Sequence, residues 1–310
     1  MIIQYYIESL GVKTMKEFKH FSKESIDQVL SEIRNEDYQE LVSNTCNQIS
    51  EYYQGLPQFD GKTPKLIIGL SGGIDSTIVS YLATRAVGAE NVITVSMPAY
   101  DGDDSVEKAN LVSKILGTEH YTIPINSIVE AETKNINQYF PIDLETETGK
   151  IRNGNYASRA RVAVLYDIAR EVNGKILGTG NRTEFVQGYA AKWGTPISFD
   201  FGVLDDLYKV DVYAIAEVLG VSQEIIDAVP TTGYYKGQSH EEELGATLEE
   251  QDVAAYLLFE KGMCKKAIVE EFGASADYLD SMLQRYSRSA DKRVIRQEHV
   301  TLRNFGGENV

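Results

Sequence analysis

The sequence predicts an α/β fold: a doubly wound parallel sheet sandwiched by helices, with a helical N-terminal extension and a helical C-terminal part. Three observations carry that expectation. From Lys65 onward, short β-rich runs alternate with helix-length amphipathic ones, the pattern of a parallel sheet covered on both faces. The first apolar run passes through a glycine-bearing loop directly into a helical pattern. The chain has 310 residues, 43% hydrophobic and 25% charged, enough to bury a core in one large domain or two small ones.

In chain order, residues 1 to about 60 read as helical, with 38–53 the most regular piece and the PQFDGKTP stretch ending it. Strands are expected at 66–70, 92–97, 120–125 and 175–179. Between them, 77–87, 105–116, 127–139 and 156–172 place apolar residues three and four apart, as amphipathic helices do. After Leu207 the pattern is helical again. The expected organisation is a helical extension over 1–60 and one domain over 61–310. Ligands of such sheets sit beyond the carboxyl ends of the strands, so the loops after Leu70, Met97, Ile125 and Thr179 are expected to form the site.

Thirty Lys and Arg stand against 46 Asp and Glu, a net charge of −16. Nucleic acids and anionic membranes reward a basic face, so neither is an expected partner. No stretch approaches the ~18 uncharged apolar residues of a spanning helix, and the N-terminal run lacks a basic head and meets Glu8 early. A cytoplasmic location is expected. Cys46 and Cys264 are too far apart in sequence for a CxxC pair or a local zinc site. The stretch 284–303 holds five Arg and one Lys; it reads as a solvated helix end or as a reach toward an anionic substrate.

The chemistry lies in LIIGLSGGIDSTIVSYLA, an apolar strand, the loop Ser71-Gly72-Gly73-Ile74-Asp75-Ser76, and a helix. Two glycines let the backbone approach an anion, and the N–H groups of the helix start point at it with the positive end of the dipole. The loop lacks the Lys of GxxxxGK[ST] and is not GxGxxG. Asp75 would repel a phosphate unless a cation bridged the two, which points to Mg²⁺. The plainer reading is a strand-to-helix turn capped by Ser or Asp.

SGGIDS resembles the pyrophosphate loop of the ATP pyrophosphatases, the adenine nucleotide alpha hydrolase-like superfamily. From about residue 38 to 263 the chain is similar to the ammonia-dependent NAD synthases, through SGGIDST, GNYASRARVAVLYDIA, GTGNRTE, GYAAKWG, LDDLYK, PTTGYYKGQSHEEELG and EEQD. That resemblance implies a C–N ligase in which the carboxylate of deamido-NAD attacks ATP, releasing pyrophosphate, and ammonia converts the acyl adenylate to the amide. It also implies a homodimer.

By the same resemblance, Gly69, Leu70, Ser71, Gly72, Gly73, Ile74, Asp75, Ser76, Thr179, Lys209 and Thr231 bind ATP, with Asp75, Lys209 and Thr179 catalytic. Asp75 and Glu184 hold Mg²⁺; Arg159, Lys192, Asp200 and Lys292 meet deamido-NAD. The residues themselves leave alternatives open. Asn181-x-x-Glu184 also fits a capping box. Lys209 falls in the first turn of a helix starting near Asp206, where the dipole disfavours a cation by ~0.3–1 kcal/mol, and it could instead pair with Asp205. Arg159, two residues from Arg161, could serve solubility alone.

A carboxylate nucleophile needs no general base, so the expected task is charge neutralisation. An acyl adenylate must be kept from water, and 98–105 and 231–245 are the expected lids. With about 60 residues ahead of the sheet, no glutaminase is expected and free ammonia is the nitrogen source. Three departures touch the second substrate: the segment 194–199, GTPISF, is one residue longer than the family's turn and lacks its acid; Asp291-Lys292 replaces a His-Lys pair; and the N-terminal extension is longer than the family's usual one. Amidation of another carboxylate and a catalytically silent nucleotide-binding regulator are the competing functions.

Overall fold

A computed structural model describes residues 19–34, 37–59, 61–100, 105–228 and 239–293. The strands β1 (Lys65–Gly69), β2 (Val92–Ser96), β3 (Glu119–Thr122), β4 (Gly174–Asn181) and β5 (Phe201–Leu204) form one sheet in the order β3-β2-β1-β4-β5. Every neighbouring pair is parallel. Leu66, Ile67 and Ile68 of β1 are wholly buried, as is most of β2, because helices cover both faces and continuous apolar runs replace alternation.

The helices are α1 (Lys23–Ile33), α2 (Tyr38–Gln54), α3 (Ile74–Val87), α4 (Ser105–Leu116), α5 (Asn126–Asn137), α6 (Glu147–Val172), α7 (Arg182–Gln187), α8 (Lys209–Leu219), α9 (Gln223–Ile226), α10 (His240–Leu244), α11 (Leu248–Ala255), α12 (Lys265–Phe272) and α13 (Ala276–Arg288). A π-helical turn, Tyr256–Glu260, follows α11, and a 3₁₀ turn, Ala290–Lys292, follows α13. Leu66 and Ile68 pack with α2, α3, α4 and α8 on one face of the sheet. Ile67, one residue out of phase, packs with α5 and α6 on the other, as the two-residue period of a strand requires.

A second core joins α1 to α7, α8 and α11–α13 through Val29, Leu30, Val186, Val210, Val253 and Leu279. The Ser25 hydroxyl donates to Phe272 O at 2.9 Å and Ser275 N donates to His20 O at 2.8 Å. Chain ends that are distant in sequence thus close one helical layer. The strand order reverses between β1 and β4, and the carboxyl ends of those two strands frame the site.

Three elements differ from expectation. β5 is an additional strand. The third strand stops at Thr122, short of Pro124, whose missing N–H cannot join a ladder. The helix expected from residue 156 begins at Glu147, where the Thr146 hydroxyl accepts from Gly149 N at 3.1 Å. Gly149 and Gly154, poor helix formers, are buried there; a Cβ on Gly149 would stand 1.8 Å from Asp143 O.

Candidate active site

At the end of β1, Leu70 is buried and tied to β2, its N–H donating to Val95 O at 2.9 Å and its carbonyl accepting from Ser96 Oγ at 3.0 Å. The chain then turns sharply. Gly72 has φ +77°, and a Cβ on it would lie 2.4 Å from Ser105 O, so only glycine fits. Ser76 Oγ accepts from Ser71 N and donates to Gly73 O, both at 3.1 Å, and Thr77 Oγ1 donates to Gly73 O at 2.9 Å. Gly73 caps α3 without a side-chain bond, leaving first-turn N–H groups for an anion. Buried Ile74, Ile78 and Leu82 fix the helix against the sheet.

Three chemically active side chains converge beside this loop. Asp75 stands in the first turn of α3 and forms an ion pair with Lys209, the first residue of α8. Asn181, at the end of β4, donates from Nδ2 to Asp75 Oδ1 at 3.0 Å. The same amide accepts from Glu184 N at 3.0 Å, capping α7. Glu184 therefore stands in the first turn of a helix that the Asn181 side chain caps, and its carboxyl feels the charged pair. Lys209 pairs with Asp75 rather than Asp205.

Burial first, and Asp75 second, push the Glu184 carboxyl up to about 8, with Lys209 opposing. Burial works to lower the Lys209 ammonium, but Asp75 and Glu184 outweigh it and hold the group well above its ordinary value. Two carboxyl groups thus face one ammonium at the cavity wall. Among the described residues, no group of three or more His, Cys, Asp or Glu side chains could hold a metal. Two carboxylates nevertheless suit Mg²⁺, which keeps several waters and takes few protein ligands.

The cavity encloses about 260 Å³. Gly69 to Ser76, Thr179, Glu184 and Lys209 all line it, as do residues after β2, whereas the loop after Ile125 does not. Thr231 lies outside the described residues, as do parts of both expected lids. Arg159, Lys192, Asp200 and Lys292 do not line this cavity. Asp200 instead braces the sheet, its Oδ2 accepting from Ile176 N at 2.8 Å beside Lys175 at 3.7 Å. The other three gather around the loop 188–192: Arg159 Nη1 donates to Lys192 O at 3.4 Å, Lys192 pairs with Asp291, and Lys292 bonds two loop carbonyls.

Sequence reasoning missed Arg161, Lys108 and His240, which also line the cavity. Arg161 donates from Nε to Met97 O at 3.0 Å. Residues two apart on a helix diverge by roughly 200°, so Arg159 and Arg161 cannot share a face; the helical wheel was the available signal. His240 is 5% exposed, and burial lowers its imidazole to about 3, leaving it neutral. It lies in the motif PTTGYYKGQSHEEELG and the expected lid 231–245, where no separate role was expected of it.

A parallel α/β sheet with an anion-binding glycine loop, a buried Lys and paired carboxylates at its switch point defines a nucleotide-using enzyme. The family model described as NAD synthase matches residues 41–296. The NH(3)-dependent NAD(+) synthetase of Thermococcus kodakarensis is 38% identical over 257 residues, covering 83% of this chain and 95% of that protein. That of Pyrococcus furiosus is 35% identical, covering 74% and 85%. Among solved structures, an NMN synthetase from Francisella tularensis superposes with a TM-score of 0.71 at 27% identity, covering 85% of this chain and 99% of that one. An NH3-dependent NAD synthetase from Campylobacter jejuni gives 0.67 at 25%, covering 86% and 100%.

The chain belongs to the NAD synthase family. It is a ligase forming a carbon–nitrogen bond, and the activity that membership carries is ATP-dependent amidation of deamido-NAD by ammonia through an acyl adenylate.

Proposed function

We propose that the cavity between β1 and β4 binds ATP and that the nicotinate carboxylate is adenylated there. The convergence of Asp75, Glu184 and Lys209 beside the glycine loop carries this reading. The loop N–H groups and Lys209 hold the phosphates and face the charge that develops as the carboxylate oxygen bonds to the α-phosphorus and pyrophosphate leaves. Thr179 orients the nucleotide from the end of β4. Ammonia then attacks the acyl carbon; AMP leaves with the shared oxygen, and one proton passes to solvent.

Asp75 and Glu184 would hold Mg²⁺, which supplies charge neutralisation to the phosphates when bound. Arg159, Lys192, Asp200 and Lys292 meet deamido-NAD, and three of them already gather at the loop 188–192 beside the cavity. Thr231 and the segments 98–105 and 231–245 complete the site as nucleotide contact and lids. Val42, Cys46 and Ile49 of α2 bury against the sheet helices, which supports reading 1–60 as a helical extension and 61–310 as the catalytic domain. We read the protein as a cytoplasmic homodimer. Tyr139 and Phe140, 78% and 69% exposed after α5, offer an apolar surface for a second copy.

A second reading is amidation of the mononucleotide acid, favoured by the likeness to an NMN synthetase. Exchange of labelled pyrophosphate into ATP separates the two. Exchange that requires deamido-NAD supports the first reading, exchange that requires nicotinate mononucleotide supports the second, and exchange with neither acid refutes both.

A further inference from the structure

The loop 188–192 carries Tyr189 and Ala190 into the cavity wall, and the turn after α13 grips it in three places. Gly188 has φ +62° and lies so close to Ser289 that an added Cβ would stand 2.1 Å from the serine Cβ. Lys292 Nζ donates to Gly188 O at 2.7 Å and to Ala190 O at 2.6 Å. Lys192 Nζ donates to Asp291 Oδ2 at 2.8 Å.

The two adjacent residues of the turn do different things. Lys292 is half-buried, and burial draws its ammonium below its ordinary value; two of its three donors are spent on carbonyls that fix the loop. Asp291 is open to solvent, its side chain 56% exposed, and the hydrogen bond from Lys192 holds its carboxyl below the usual range. Its side chain meets the loop through the loop's own cation.

We propose that Asp291 is a placeholder ligand, occupying Lys192 until a phosphate of the nicotinate nucleotide displaces it. This rests on the reading of Lys192 as a second-substrate contact. A phosphate group brings more charge and more acceptor oxygens than one carboxylate, and an exposed ion pair is weak enough to exchange. While the pair stands, Lys192 is neutralised and stray anions gain little from it. When substrate arrives, the displaced carboxylate remains close by and repels it. Asp291 therefore lowers affinity for the acid in return for selectivity at the one lysine of this loop.

Steady-state kinetics of the full chain with ATP, Mg²⁺, ammonia and varied deamido-NAD tests this. Asp291→Asn keeps the shape and removes the charge. Its KM for deamido-NAD should fall about threefold at low salt, the scale of an exposed pair, with kcat and KM for ATP unchanged. The difference should shrink near 1 M salt, where the Debye length falls to ~3 Å. A KM for deamido-NAD that stays the same or rises in D291N overturns the placeholder. Lys192→Ala is the control: a raised KM for deamido-NAD leaves the reading of Lys192 standing whatever D291N does, whereas no change removes that reading and the proposal with it.

Discussion

Lys209 keeps a full positive charge with only 3% of its side chain exposed, at a helix start whose dipole disfavours it. Asp75 and Glu184 make that possible, and they in turn depend on Lys209 for neutralisation. Each of the three is costly without the others. Lys209→Met should therefore cut kcat about 10²–10³-fold, the scale of one lost transition-state donor. It should also destabilise the fold by about 3–5 kcal/mol, since the Asp75 carboxylate loses its buried partner cation. Turnover and urea unfolding measure the two effects; turnover within threefold of the parent would remove Lys209 from the phosphate site. Gly72 makes a complementary point. Its backbone conformation and its contact with Ser105 O make glycine obligatory, so the glycine at that position of the motif marks the tight turn by its residue type alone.

The helices that carry Glu184 and Lys209 are locked to each other by a third. Thr183 Oγ1 donates to Asp252 of α11 and accepts from Lys209 N at 2.9 Å, while Asp252 Oδ2 accepts from Val210 N at 2.9 Å. The first donors of α8 are thus capped from α7 and α11, and the geometry of the site depends on Asp252. Burial pushes that carboxyl up to about 7, against the bonds from Thr183 and Val210. Because the folded value lies above the ordinary 3.8, the folded state holds the proton more tightly. The associated stability is fully present below pH 3.8 and is lost as pH rises through about 7. The fall in Tm between pH 5 and pH 8 should be smaller in Asp252→Asn than in the parent; parallel curves would show that Asp252 does not titrate in this window.

At the same scale, long periodic elements were legible and short or glycine-rich ones were not. β1, β2 and α4 follow from apolar runs and clean helical spacing. β5 has four residues, FGVL, too few for a period to declare itself. The first turns of α6 contain Gly149, Asn153, Gly154 and Asn155, whose weak propensity hid a helix stabilised by tertiary contact. For the site, the loop and its partners Asp75, Glu184 and Lys209 were legible because they carry charge where charge needs a reason. The backbone contact of Asp200 was not, because a carboxylate that accepts from a strand N–H carries no sequence mark of doing so.

At the scale of the molecule, the core under one face of the sheet and the core joining α1 to the C-terminal helices meet at α8. In the described part of the basic stretch after Gln284, Arg285 donates to Gln187 Oε1 at 2.8 Å and Arg293 stacks 3.8 Å over the Tyr286 ring. Among the described residues, Tyr139 and Phe140 are the most exposed large apolar side chains, with Leu144 close by in sequence. If a second copy covers them, Tyr139→Ser/Phe140→Ser should sediment as a monomer at concentrations where the parent is a dimer; an unchanged dimer would place the contact elsewhere.

At the centre of this reading, ATP is cleaved between its α and β phosphates at the Asp75–Lys209 pair, driven by a carboxylate nucleophile. Phosphorus NMR of a complete reaction tests it most directly. The expected products are AMP and pyrophosphate in equal amounts, one of each per amide formed, with none from Asp75→Asn. ADP and orthophosphate, or undiminished product from the variant, would contradict it.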